Sequence, residues 1–226
     1  MIRDMAISTI TFGGLLTGCL ASSILVAGEF ERQTVLAVLC KPVSRVHFIL
    51  GKYLGILAAT CLLVLSQGLV LEVALIIRNY STVQSGLTNF SDMIDFVCIL
   101  GICLSLLQIL ILTAISLVLS LYLNTIANLT ICLFFFIFCN TFSYMLPIHI
   151  DSHAGVNAVA AVCYAVFPNF QTLNMTVINE VVAIPSSLWQ ESNVMQYIVC
   201  VLIHSTIYCA AVVWLAIFLF KRKEIA

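Results

Sequence analysis

The chain has 226 residues, 62% hydrophobic and 8% charged, with nine basic and ten acidic side chains and a formal net charge of −1. Soluble domains carry about 25% charged residues, and a mean hydropathy of +1.16 leaves too little polar surface to cover a water-soluble fold. This excludes a soluble enzyme, a disordered tail and a basic nucleic-acid-binding domain, and implies an all-α, polytopic transmembrane helical bundle over residues 1–226 as a single domain.

A helix crosses hydrocarbon with about 20 mostly apolar residues because all its backbone hydrogen bonds are internal. The first such stretch, 6–27, carries no charge. Its Gly14 and Gly18 form a GxxxG suited to close helix packing. Leu16-Thr17-Gly18-Cys19 has the form of a lipoprotein cleavage box, but Asp4 stands before it against a single Arg3 and the apolar run continues to Ala27, so an uncut helix is expected. A charged connection follows over 28–53. Glu29, Glu31 and Arg32 open a short amphipathic piece there. Val35, Leu36, Val38 and Leu39 give it an apolar face, and Lys41 closes it, an order that suits the helix dipole. Pro42 ends the piece, and Ser44 can cap the next helix.

Four further apolar stretches run over 54–77, 96–123, 126–148 and 194–220. Polar side chains inside such runs are functional candidates. Glu72 is expected to snorkel outward toward Arg78, and Gln108 and His204 either line a path or bond a neighbouring helix. The connection 78–95 is short and polar; 149–193 is long. In the latter, His149, Asp151 and His153 are metal-capable, but no further ligand or second shell stands near them, so no metal site is assigned. Ala154–Phe167 is of re-entrant or interfacial length and is broken by Pro168. Sequons at Asn79, Asn89 and Asn174 are read as chance matches. The ten cysteines are scattered without a CxxC pair, as small hydrophobes filling helix contacts would be.

Charge sets the orientation. Connection 28–53 and the tail after Phe220 hold Arg32, Lys41, Arg45, Lys52, Lys221, Arg222 and Lys223, whereas the other side holds only Arg3 and Arg78. The basic side is therefore cytoplasmic, which puts the protein in the plasma (inner) membrane with its N-terminus outside.

Residues 28–55 also resemble the membrane subunits of type-2 ABC exporters. Those subunits read E-x-E-x-x-T, then about five apolar residues, K-P-[VI]-S-R and F-x-x-G-K-x-x-G. Here the matching positions are Glu29, Glu31, Thr34, Lys41, Pro42, Val43, Ser44, Arg45, Phe48, Gly51, Lys52 and Gly55. Asn124–Asn128 is similar to the family's short polar turn, Pro168-Asn169-Phe170 with Asn174 to its PNF-x-x-x-N segment, and Phe218–Glu224 to its aromatic-basic ending. The resemblance starts at the family's second helix, so a six-helix member would carry one more helix upstream. It implies a dimer, of like or unlike membrane subunits, bound to two ATP-hydrolysing subunits. Glu29–Arg45 would be the coupling element that docks on the ATPase, and a re-entrant piece would precede the last helix.

The chain lacks a GxxxxGK[ST] loop. It is expected to bind no cofactor itself, with ATP and Mg in the partner, and to contact membrane lipid but no nucleic acid. The competing class is an ion-coupled secondary transporter or another multi-pass protein that does not depend on ATP, which would call for ionisable groups in broken helices at mid-membrane and an internal repeat. A membrane-embedded enzyme would need a clustered catalytic constellation, and none stands out. The orientation has a direct check. A reporter active only in the cytosol should be active when fused after Ala226 and inactive when inserted within 149–193; the reverse result contradicts the charge reading.

Overall fold

The computed structural model describes residues 2–28, 45–83, 96–145, 167, 168, 170–173 and 191–222. They form α1 (Ile2–Ser22), continued by a π-helical turn over Ser23–Ala27, then α2 (Arg45–Val83), α3 (Phe96–Ser120), α4 (Thr125–Met145), a 3-10 turn over Phe170–Leu173 and α5 (Glu191–Arg222). The architecture is a helical membrane bundle with no strand among the described residues. Four of the five helices are long and apolar enough to cross a membrane, and the apolar helix Thr125–Thr141 is shorter. As a backbone helix α4 runs 21 residues, about 31 Å. α2, at 39 residues, is about 58 Å long and extends beyond the roughly 30 Å of hydrocarbon. It starts at Arg45, directly after Ser44, so the latter part of the charged connection is already helical.

Neighbours in the chain alternate in direction. α1, with its π turn, and α3 and α5 finish at one end of the bundle, called here the basic end, where α2 and α4 begin. α3 is the central helix, packed by α1, α2, α4 and α5. Leu104, Ile111, Leu112, Ala114 and Leu117 are each at most 2% exposed, as expected for a helix apolar on every side. α2 and α5 are peripheral. Leu62, Ile77 and Trp214 are each at least 66% exposed, faces suited to lipid.

Packing of α1 depends on its glycines. A Cβ at Gly14 would collide with the side chain of Ile109 and come within 2.9 Å of Val64, and one at Gly18 would collide with Thr113. The GxxxG therefore lets α1 lie against α2 and α3 at once. Cys19, within the apparent cleavage box, is fully buried and shares a cluster with Leu15, Leu112, Cys132 and Phe170. Phe170 is fully buried against Phe136, with ring centroids 6.3 Å apart, and Phe167 meets Phe138 at 5.3 Å. Phe136 lies nine residues before the end of α4, about 14 Å along the helix axis. The chain thus returns into the bundle between α3 and α4 ahead of the last helix. Residues 154–166 lie outside the described residues.

Gly14→Val should lower stability by about 1–3 kcal/mol, read as a lower unfolding temperature in detergent. Gly55→Ala, where a Cβ meets nothing within 4 Å, should leave it unchanged. Equal effects at the two positions would contradict the packing described for α1.

Candidate functional site

Two polar levels interrupt the apolar bundle. The first is a cavity of about 580 Å³ between α1, α3 and α4, at the end away from the basic one. Its floor is set by Thr11 and Phe12 on α1, Gln108 on α3 and Phe136 on α4. Gln108 lies twelve residues into α3, about 18 Å from its start, so the cavity reaches the middle of the bundle. Gln108 is only 5% exposed, and its amide makes no hydrogen bond among the described residues. Below it the space closes on Leu15, Cys19, Ile111, Leu112 and Cys132, all buried in one apolar cluster.

The second level is a buried clasp near the basic end. Asn128, fully buried on the first turn of α4, donates from Nδ2 to Ser23 Oγ at 2.6 Å and to Ser116 Oγ at 3.0 Å. Ser22 Oγ is hydrogen-bonded to Ser116 Oγ, and Cys132 Sγ donates to Asn128 Oδ1 at 3.5 Å. The hydrogens can all be placed. Ser22 and Ser23 both donate to the Cys19 carbonyl, at 2.9 and 2.8 Å, so Ser116 donates to Ser22, and the two N–H bonds of Asn128 go to Ser23 and Ser116. No donor in the network is left over, which is what hydrocarbon demands of a buried polar group. Two hydroxyls turned onto one carbonyl compete with the regular helix ladder. The ladder widens at this point: the Gly28 N–H donates to the Ser23 carbonyl, five residues back, and such π turns often mark functional positions.

This clasp ties the end of α1 to the α3–α4 hairpin one step before Glu29. On the far side of the connection, the Lys52 ammonium of α2 donates to the Leu25 carbonyl and lies 5.1 Å above the Phe48 ring. A cation at the C-terminal carbonyls of α1 is favoured by the helix dipole. Tyr53 Oη donates to the Leu110 carbonyl at 3.3 Å and lies 2.7 Å from Cys209 Sγ, which joins α2, α3 and α5. Phe48 stacks on buried Phe220 of α5 at 6.0 Å.

The residues singled out from sequence fall in separate places. Glu29, Glu31, Arg32, Thr34, Lys41, Pro42 and Ser44 lie outside the described residues, as do His149, Asp151 and His153; Arg45 opens α2. Gln108 lines the cavity, whereas His204 is exposed on α5. Glu72 is on α2, and both of its carboxylate oxygens are buried without a hydrogen-bond partner. Its expected pairing with Arg78 is not formed; six residues are about 1.7 turns, which turns the two side chains to different faces. The structure does not bring Glu72, Gln108 and His204 together. It brings together Asn128, Ser22, Ser23 and Ser116, which sequence reading did not select. The available signal was polar side chains near the basic ends of three apolar runs.

A family model described as ABC-2 family transporter protein matches residues 1–225. The chain belongs to the ABC-2 transporter family. No curated protein and no solved structure matches it. Membership makes the chain a multi-pass membrane component of ABC transport, in a family whose permeases associate with an ATPase subunit. For an ABC-2 permease, the clasp and the Lys52 contact are notable because they stand on either side of the connection that carries the family-like pattern.

The clasp predicts non-additive energetics. Asn128→Ala and Ser116→Ala, measured singly and together by reversible unfolding in mixed micelles, should show a coupling energy of about 0.5–3 kcal/mol. Additive effects would mean that the two residues act independently.

Proposed function

We propose that this chain is the pathway-forming subunit of an ATP-driven ABC exporter, coupled to a separate ATPase through the connection between α1 and α2. The observation that carries this reading is the anchoring of that connection at both ends. Before Glu29, the π turn is held to α3 and α4 by Asn128 and Ser116. After Arg45, α2 is held to the end of α1 by Lys52 and to α3 and α5 by Tyr53. A push on residues 29–45 therefore reaches every helix of the bundle within one or two turns.

The mechanism follows from this mechanical layout. ATP binding draws the two partner ATPases together, the coupling segments of two permease subunits move with them, and the helices re-pack around the cavity to alternate its access. ATP and Mg belong to the partner, and this chain performs no covalent chemistry. The positive-inside distribution supports a cytoplasmic basic end, and in that orientation the cavity described above faces outward. Glu29, Glu31, Arg32, Thr34, Lys41, Pro42, Ser44 and Arg45 are the residues expected to meet the ATPase. A second permease copy, identical or similar, completes the pathway.

Reversing charge at Lys41 and Arg45 (Lys41→Glu with Arg45→Glu) should abolish co-purification of the ATPase and nucleotide-dependent export, while the unfolding temperature in detergent stays at the wild-type value. Retention of the ATPase by this variant, or gradient-driven transport in vesicles that lack any ATPase, would overturn the assignment.

A further inference from the structure

A second hollow, of about 490 Å³, lies between the peripheral helices α2 and α5, with α3 behind it. Leu50 and Leu54 of α2 and Val213, Trp214 and Ile217 of α5 make its walls apolar, and Leu54 and Trp214 are exposed on the lipid side. The polar groups of the walls are already bonded. Ser205 donates to the Val201 carbonyl at 2.8 Å, Thr206 to the Ile203 carbonyl at 2.9 Å, and Tyr53 Oη and Cys209 Sγ meet at 2.7 Å. An occupant therefore needs no polar group along this length. The depth of the groove is informative. Leu50 and Ile217 each lie five residues from the basic end of their helix, about 7.5 Å, which is about the thickness of one headgroup layer. From Ile217 the groove continues along α5 to Ser205, about 18 Å, close to the roughly 15 Å of hydrocarbon in one leaflet. It begins where acyl chains begin and stops near mid-membrane.

The mouth is cationic. Among the described residues the basic end carries Arg45, Lys52, Lys221 and Arg222 and no acidic residue. Trp214 and Phe218 stack at 5.8 Å, and the Arg222 guanidinium lies 5.3 Å over the Phe218 ring, an aromatic and cationic edge of the kind found at membrane–water interfaces. Lys221 follows Trp214 by seven residues, about two turns along one face of α5. A neighbouring transmembrane helix would follow α5 through both leaflets, whereas the groove ends at half depth. We propose that the groove holds an acyl chain of an anionic phospholipid from the leaflet at the basic end, with its phosphate headgroup at the terminus of α5. This site is separate from the cavity at the other end. It needs only the membrane-embedded bundle and does not rest on the exporter reading.

The test is quenching of Trp214 fluorescence by brominated lipid. The chain has two tryptophans, so Trp189→Phe leaves Trp214 as the reporter in the otherwise full chain. The protein would be reconstituted in mixed vesicles of phosphatidylcholine and phosphatidylglycerol, with the acyl chains of one lipid or the other brominated. Brominated phosphatidylglycerol is expected to associate beside Trp214 about fivefold more strongly than brominated phosphatidylcholine at low salt, and the preference should shrink at high salt. Lys221→Gln with Arg222→Gln should remove the preference while quenching by phosphatidylcholine persists. Ala210→Phe, at an exposed position on the groove wall, should also remove it, by filling the groove with the charges left in place. A control reporter, Phe134→Trp with Trp214→Phe, places the fluorophore on the exposed face of α4 and should show no preference. Equal association of the two lipids beside Trp214, or a preference that survives either variant, would overturn the proposal. So would a Trp214 shielded from both lipids while the control reporter is quenched, which assigns the groove to a second copy of the chain. The comparison of the two lipids needs no substitution in the groove, so it decides the matter even where a variant impairs folding.

Discussion

A polar hydrogen inside hydrocarbon has no water to turn to, and the arrangement of this bundle follows from that constraint. Most serine and threonine side chains meet it locally, by donating to a carbonyl one turn back in their own helix. Where several polar side chains face each other across helices, they either form a closed network or border a space that a ligand or water can enter. The clasp of Ser22, Ser23, Ser116 and Asn128 is the closed case. The cavity above Gln108 is the open one. Between them lies an apolar layer around Leu15, Leu112 and Cys132.

This layering gives the two levels different mechanical character. Interhelical hydrogen bonds in membranes are worth only about 0.6–2 kcal/mol each, but a network whose donors are all used resists being partly opened, because any one break strands a buried group. The end of α1 and the α3–α4 hairpin are therefore expected to move as a unit. The hydroxyls of the cavity walls bond within their own helices. Hydroxyls bonded within their own helix do not have to break those bonds when the helices slide past one another. Movement delivered at the basic end would thus be carried rigidly through the clasp and expressed as a change of shape in the cavity.

Much of the fold was legible because apolar run length and helix length are set by the same bilayer thickness. Ala6–Ala27 and Leu54–Ile77 each fall inside or along an observed helix, and the close approach implied by Gly14 and Gly18 is used against Val64, Ile109 and Thr113. The site was less legible. Gln108 and His204 look alike in sequence, each a lone polar side chain in an apolar run. They differ in that α3 is surrounded by neighbours and α5 is peripheral, and periodicity in a uniformly apolar helix cannot tell which. Asn128 was read with Asn124 as part of a polar turn. It sits instead at the start of α4, inside the bundle, because Ser23 and Ser116, 105 and 12 residues away, offer it acceptors. Such a long-range match of partners leaves no local trace. The coupling pattern over 29–45 lies outside the described residues apart from Arg45; the expectation for it rests on charges, a proline and a cap, which are local signals that need no tertiary partner.

The central claim, that nucleotide acting through the basic end changes access to the cavity at the opposite end, is tested most directly by cysteine accessibility. With Ser8→Cys, an exposed position lining the cavity, as the one cysteine in a cysteine-free background, the ATPase-bound complex would be treated with a membrane-impermeant thiol reagent from the side away from the basic end. The account predicts rapid labelling without nucleotide and a labelling rate that changes at least several-fold when ATP is held bound. A rate identical in the two states would contradict it.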